Sequence, residues 1–238
     1  MNKGIQAFYS QIWGSYELIN SILTLGLDAR WRKKAARLAV KNSLEHKQTR
    51  FLDICSGTGQ TAIYMSRRLS SASCIIAADF SLQMLKVAAA KISKKGIKNI
   101  LFIFSDALHL PFDDNSFDGI TISFATRNLN AKEGHLLSAF REFHRVLKPG
   151  GCFLNLESSQ PPQKIIKKLF HLYVTLTVKP IGALISGSAS SYAYLSSSIR
   201  SFYSAEELET ILYEAGFETV EHKKLLFGAV ALHKACKK

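Results

Sequence analysis

The chain holds 238 residues, 47% of them hydrophobic, and sets 31 Lys plus Arg against 18 Asp plus Glu for a formal net charge of +13. That length buries a sizeable core and suits a globular enzyme built as a single domain over 1–238, while the charge draws it toward phosphate-rich surfaces without choosing among RNA, DNA and anionic lipid. Cys55, Cys74, Cys152 and Cys236 are scattered, with no C-x-x-C pair and no His at zinc spacing, which excludes a zinc framework, leaves no metal site and makes a reducing cytoplasm the plain reading.

The start shows no clean apolar core of a signal peptide, being broken by Gln6, Gln11 and Glu17, so export is not expected. Residues 5–40 read as helix, with Phe8, Ile12, Tyr16, Ile19, Ile22 and Leu23 on one face and a break at Leu25-Gly26; Trp31 follows on a second helical stretch, and 1–45 forms a helical cap. From there the pattern alternates: strand 50–55, helix 59–69, strand 73–78, helix 81–94, strands 100–104 and 117–123, helix 132–147, strand 152–157. Ser81 caps one helix, and Lys148-Pro149-Gly150-Gly151 stops another. Residues 158–200 lose the alternation and read as an insertion over the sheet edge. Its greasiest stretch, 169–185, contains His171, Lys179 and Pro180 and falls short of the ~20 apolar residues of a spanning helix, though with Lys164, Lys167 and Lys168 it suits contact with a membrane surface. Ser204 opens helix 204–215 with a capping box, and runs 217–223 and 226–233 close the sheet as an antiparallel pair. The fold class is α/β, a seven-stranded mostly parallel sheet with helices on both faces.

The chemistry starts at Asp53-Ile54-Cys55-Ser56-Gly57-Thr58-Gly59 and, twenty residues beyond Gly59, at Asp79. A glycine turn between strand and helix, followed by an acid at the tip of the next strand, makes a nucleoside cradle in which the carboxylate accepts both ribose hydroxyls. Asp53 beside the turn disfavours pyrophosphate and favours an ammonium group, and no Lys-Ser or Lys-Thr of a P-loop follows. S-adenosylmethionine, with an amino group, a sulfonium and no phosphate, fits that charge. Asp106-Ala107 after the third strand supplies an acceptor for an adenine amine and a backbone donor for its ring, and Thr58 and Ser123 are placed for direct cofactor contact.

Together with Leu110-Pro111-Phe112-Asp113 before the fourth strand and Arg145-Val146-Leu147-Lys148-Pro149-Gly150-Gly151 before the fifth, these residues resemble the class I, Rossmann-like methyltransferases. A narrower resemblance lies outside that core. Ser123-Phe124-Ala125-Thr126-Arg127-Asn128 is similar to the S-F-G-x-R-N signature of the C-methyltransferases of menaquinone and ubiquinone synthesis. Tyr16-Glu17-Leu18-Ile19-Asn20, the run from Gly187 to Leu195, Ser198-Ile199-Arg200 and Gly228-Ala229-Val230-Ala231-Leu232-His233 resemble the same family. The match runs from about Tyr9 to Lys234, with departures at Glu17, Gln60, Ser188 and Ala193, where the family has acids at 17 (Asp), 60 and 188 and Arg at 193.

The resemblance implies methyl transfer from S-adenosylmethionine to a ring carbon of a polyprenylated hydroquinone, demethylmenaquinol first and a benzoquinol of ubiquinone synthesis second. It implies Arg127 facing the developing oxyanion, Asn128 orienting the quinol oxygen, the 158–200 insertion as a lid, and Tyr16, Tyr192 and Tyr194 against the substrate. It also implies a transient anionic membrane partner at the inner face, no nucleic acid, and leaves a homodimer open. Competing readings are an RNA or small-molecule methyltransferase, a nicotinamide oxidoreductase and a non-catalytic module that binds the cofactor; the first two lack their N-P-P-Y and Tyr-x-x-x-Lys motifs.

Overall fold

Strand β1 (Arg50–Ile54) is buried from Phe51 onward, as a central strand covered on both faces by helices must be. The computed structural model describes residues 16–41, 48–130, 132–186 and 189–238; the expected helical turns over 5–15, and Gly187 and Ser188, lie outside them. Helices α1 (Tyr16–Leu23) and α2 (Leu27–Ala39) precede the sheet, broken at Leu25-Gly26 as the sequence predicts. Then come α3 (Gln60–Ser66), β2 (Cys74–Asp79), α4 (Leu82–Lys94), β3 (Ile100–Phe104), β4 (Phe117–Ser123), α5 (Thr126–Leu129), α6 (His135–Val146) and β5 (Leu147–Ser158). Helices α7 (Lys164–Ser186), α8 (Ala189–Ser201) and α9 (Ala205–Glu214), with β6 (Thr219–Leu225) and β7 (Val230–Cys236), complete the chain.

The seven strands run in the order β3-β2-β1-β4-β5-β7-β6, with β7 antiparallel to both neighbours and the other pairs parallel. Chain order reverses between β1 and β4, so the crevice beyond their carboxyl ends is where such a sheet takes its ligand. Phe117, Phe140, Phe143, Phe153 and Phe217 fill the core on one face. Two local signals act as read: Ser81 accepts from the Met84 N–H at 3.4 Å, and Ser204 with Glu207 forms a full capping box.

Two expectations are corrected. Residues 148–151 do not form a turn ahead of β5 but the bulge inside it, between the Phe117–Leu147 and Gly119–Cys152 rungs; Pro149, with no N–H, is tolerated where the ladder is interrupted. Cys152 and Cys236 form a disulfide rather than free thiols, because β5 and β7 set them directly opposite with Cα atoms 4.1 Å apart. The 158–200 insertion is built of the two helices α7 and α8.

Those two helices meet where Gly182 lets them close. A Cβ at Gly182 would stand 2.0 to 2.5 Å from ring atoms of Tyr192, and Tyr192 is only 1% exposed among Ile19, Met84, Val174, Val178 and Leu195. Gly182→Ala is therefore expected to cost ~1–3 kcal/mol in chemical denaturation by overpacking. An unchanged midpoint would show that α7 and α8 are not held at this contact.

Candidate active site

At the end of β1 the chain turns through three residues of positive φ: Cys55 at 50°, Gly57 at 55° and Gly59 at 76°. Gly57 has open space around a built Cβ, so its requirement is the backbone angle, while a Cβ at Gly59 would press Ala88 and Ile92 of α4 at 3.3 Å. Gly59 thus serves helix packing as well as the turn. Cys55 has a side chain in a region that disfavours one, and such strain collects at functional sites.

Asp79 clamps this turn. Its Oδ2 accepts the Gly57 N–H and its Oδ1 the Ser81 N–H, each at 2.8 Å. Burial pushes its carboxyl up to about 6 against the pull of those N–H groups. Asp53, paired with it in the sequence reading, has a different role. It is 1% exposed, accepts from the Ala62 N–H at 3.1 Å and the Thr121 hydroxyl at 2.7 Å, and lines neither cavity described below. One oxygen fastens α3 to β1 and the other ties β1 to β4, and because the residue is absent from both cavity walls it stands as support beneath the turn rather than in the expected contact with the cofactor.

A cavity of about 1010 Å³, open mouth included, lies against the turn and is lined by Gly57, Thr58, Asp79, Asp106, Ala107, Ser123 and Asn128. Of the sequence candidates for the cofactor, Gly59 and Asp53 alone are not in its wall. The structure adds Glu17, Asn20, Asp28, Arg32, Gln60, Met84 and His135. Glu17 is hydrogen-bonded by both the Thr58 hydroxyl and the Lys91 ammonium, so α1 is tied over the glycine turn by the residue that departs from the family's aspartate. Four carboxylates, Glu17, Asp28, Asp79 and Asp106, face one guanidinium and one imidazole. That balance repels a pyrophosphate and suits the ammonium and sulfonium of S-adenosylmethionine. Among the described residues no cluster could hold a metal ion.

A second cavity of about 820 Å³ is mostly apolar, with Leu23, Trp31, Phe124, Phe170, Val174, Val178 and Leu195 in its wall. Asn20, Asp28 and Arg32 line both. These junction residues come from α1 and α2, where Arg32 is 8% and Asp28 6% exposed. Arg32 lies over the Phe124 ring at 5.1 Å, its Nε stands 3.9 Å from the Asp28 carboxylate, and that buried Nε makes no hydrogen bond among the described residues. Its Nη1 donates to the Ser123 carbonyl at 3.4 Å, which holds the guanidinium at the end of β4 between the two cavities. In the sequence this pair is marked only by its place after the Leu25-Gly26 break and around Trp31.

Arg127 lines the second cavity but is not a lone cation. Its Nη1 donates to Glu157 at 2.8 Å and to the Phe124 carbonyl at 2.9 Å, and its backbone N–H donates to the other Glu157 oxygen at 3.2 Å. Glu157, 1% exposed, also takes the Ser158 N–H and hydroxyl. Asn128 faces the first cavity instead. Tyr194 is 37% exposed, and burial pushes its phenol up while Arg127 pulls it down, so the two are neighbours. Tyr192 is corrected: packed on Gly182, it lines neither cavity and belongs to the fold. The Tyr16 side chain lies outside the described residues.

The sequence model of the ubiE/COQ5 methyltransferase family matches residues 1–237. A demethylmenaquinone methyltransferase of Lactiplantibacillus plantarum is 36% identical over 96% of this chain and 94% of its own. A ubiquinone/menaquinone biosynthesis C-methyltransferase UbiE of Pseudomonas putida is 36% identical over 99% of this chain and 89% of its own. Among solved structures, a SAM-dependent methyltransferase of Thermotoga maritima superposes with a TM-score of 0.63 at 18% identity, covering 98% of this chain and 99% of that one, which speaks for the fold. With the family model matched end to end, and relatives above one-third identity across nearly all of its length, the chain belongs to the ubiE/COQ5 methyltransferase family, S-adenosylmethionine-dependent enzymes.

Proposed function

We propose that this protein methylates a ring carbon of a prenylated hydroquinone, demethylmenaquinol before a demethylated benzoquinol. One observation carries the reading: an acid-lined cavity for the cofactor and an apolar cavity for a greasy ring share a wall of Asn20, Asp28 and Arg32. Relatives that match nearly the whole chain bear names for this chemistry.

The cofactor supplies an electrophilic methyl group. The residues must activate the other side. A quinol hydroxyl has a pKa of about 10 by analogy with tyrosine, and its ring carbon becomes nucleophilic once the proton leaves; after that carbon takes the methyl group, the hydrogen it carried departs as a proton, the oxygen is reprotonated and the aromatic quinol is restored. Asp28, at the junction, offers the carboxylate that takes this proton, and the Arg32 guanidinium beside it offers positive charge for the oxygen left behind. Arg127, fixed by Glu157, bounds the ring in the second cavity, and Asn128 orients it from the cofactor side. Trp31 and Phe124, 6.2 Å apart, exclude water from the ring.

The test is incubation with methyl-labelled S-adenosylmethionine and each demethylated quinol in detergent, with mass spectrometry of the quinol. One methyl group on the ring carbon of the naphthoquinol is the expected product. Cofactor bound at normal affinity with neither quinol methylated would leave a non-catalytic binding module and sink the proposal.

A further inference from the structure

Three separate segments put large apolar side chains into solvent around the second cavity. Helix α7 buries Val174 and Val178, and at about 100° per residue its opposite face carries Ile165, Leu169, Leu172 and Leu176, exposed by 74, 60, 53 and 63%. The turn between α1 and α2 exposes Leu25 by 85%, and the turn before β7 exposes Phe227 by 75%. Leu25 and Phe227 sit at φ of 51° and 55°, where a side chain is rarely accommodated. Each segment also reaches into the cavity wall with a neighbour: Phe170 and Tyr173 on α7, Leu23 and Thr24 before Leu25, Leu226 before Phe227. The Tyr173 hydroxyl donates to the Leu23 carbonyl at 2.7 Å and joins two of the three.

An apolar rim this large around a cavity points to a partner, and charge selects which. Helix α7 carries Lys164, Lys167, Lys168 and Lys179 and no acid, all four exposed. The partner is apolar beneath and anionic above. A nucleic acid lacks the first property, and a second copy of this +13 chain would set lysines against lysines. None of the described helices is long and apolar enough to cross a membrane.

We propose that Leu25, the outer face of α7 and Phe227 seat in the boundary between headgroups and acyl chains of an anionic bilayer, with the α7 lysines on the phosphates, so that the second cavity opens toward the lipid. The inference rests on the prenylated-quinol reading, since only a substrate stored in the bilayer gives the cavity a reason to face it.

Co-sedimentation of the full chain with vesicles of phosphatidylcholine, alone or mixed with phosphatidylglycerol, tests it. Binding should be at least ~10-fold tighter to the anionic vesicles and weaken as salt rises. Leu169→Ser/Leu176→Ser/Phe227→Ser should lose at least ~10-fold in vesicle binding, and Lys164→Glu/Lys168→Glu should lose the anionic preference. Both variants should keep wild-type affinity for S-adenosylmethionine by calorimetry, which shows that they fold. The wild-type rate on a short-tailed, detergent-free quinol reports separately on the reaction, so its failure would count against the substrate and not the surface. No wild-type binding, or equal binding by wild type and variants, overturns the proposal. So does a wild-type dimer in light scattering that the apolar variant splits, since the rim would then belong to a second copy.

Discussion

Asp79→Ala is expected to raise the dissociation constant for S-adenosylmethionine by ~10²-fold in calorimetry, while Asp53→Asn leaves it within a few-fold. Both are buried acids beside one glycine turn, yet only Asp79 lines the cofactor cavity. A hydrogen bond to a charged group is worth about 1.5–3 kcal/mol, so losing the bonds to two ribose hydroxyls, discounted for loop adjustment, comes to about 2.7 kcal/mol, or a hundredfold. At Asp53 an amide of the same shape can still accept from the Ala62 N–H and donate to the Thr121 hydroxyl, which reverses freely. It also removes a buried charge whose carboxyl is pushed up to about 6 by desolvation. Equal losses in the two variants would mean that Asp53 acts on the ligand through its charge and that the cavity wall is misassigned.

The same carboxyl gives affinity a pH dependence with a definite sign. Asp79 rises from its ordinary 3.8 to about 6 because burial disfavours the ionised form. In the protein without cofactor, the penalty of that buried charge is therefore fully present above about 6 and gone below 3.8, so this group stabilises the fold as acid is added. Ribose hydroxyls reverse the preference, since they donate to the ionised form. Cofactor affinity should thus be level above neutrality and fall as pH drops through about 6. A level affinity down to pH ~5, a unit below that value, would remove Asp79 from the ribose.

The contrast between those two acids also marks where sequence reading stops. Periodicity located every strand, because central strands are apolar throughout and helices between them are apolar on one side. Spacing alone placed Asp53 and Asp79 together, but one strand residue's side chain points at α3 and the other's at the loop, and that is a property of register. Register likewise put Cys152 against Cys236 across 84 residues of chain, and Glu157 under Arg127 at a separation of 30. The lid helices escaped for another reason. Helix α7 is apolar on its buried face and again on its exposed one, so the contrast that reveals an amphipathic helix is missing. Asp28 and Arg32, four residues apart on α2, give no sequence sign that they form the wall between two cavities.

Arg127→Ala should lower product formation by at least ~10²-fold, the scale of losing one partner of a developing oxyanion, but the structure shows why that variant alone would mislead. It would leave Glu157, 1% exposed, as a buried charge without its cation, and breaking such a pair costs about 3–5 kcal/mol. Lost activity would then mix lost folding with lost chemistry. Arg127→Gln/Glu157→Gln separates the two, because neutral amides of similar size can bond to each other and to the Phe124 carbonyl and Ser158 groups that the pair now engages. The double variant should melt close to wild type and bind S-adenosylmethionine normally, yet remain at least ~10²-fold slow with saturating quinol, since the cation Arg127 brings to the ring is gone and Arg32 alone remains. If turnover returns together with stability, Arg127 only holds β4 to β5, and the charge facing the quinol oxygen comes from Arg32 at the junction alone.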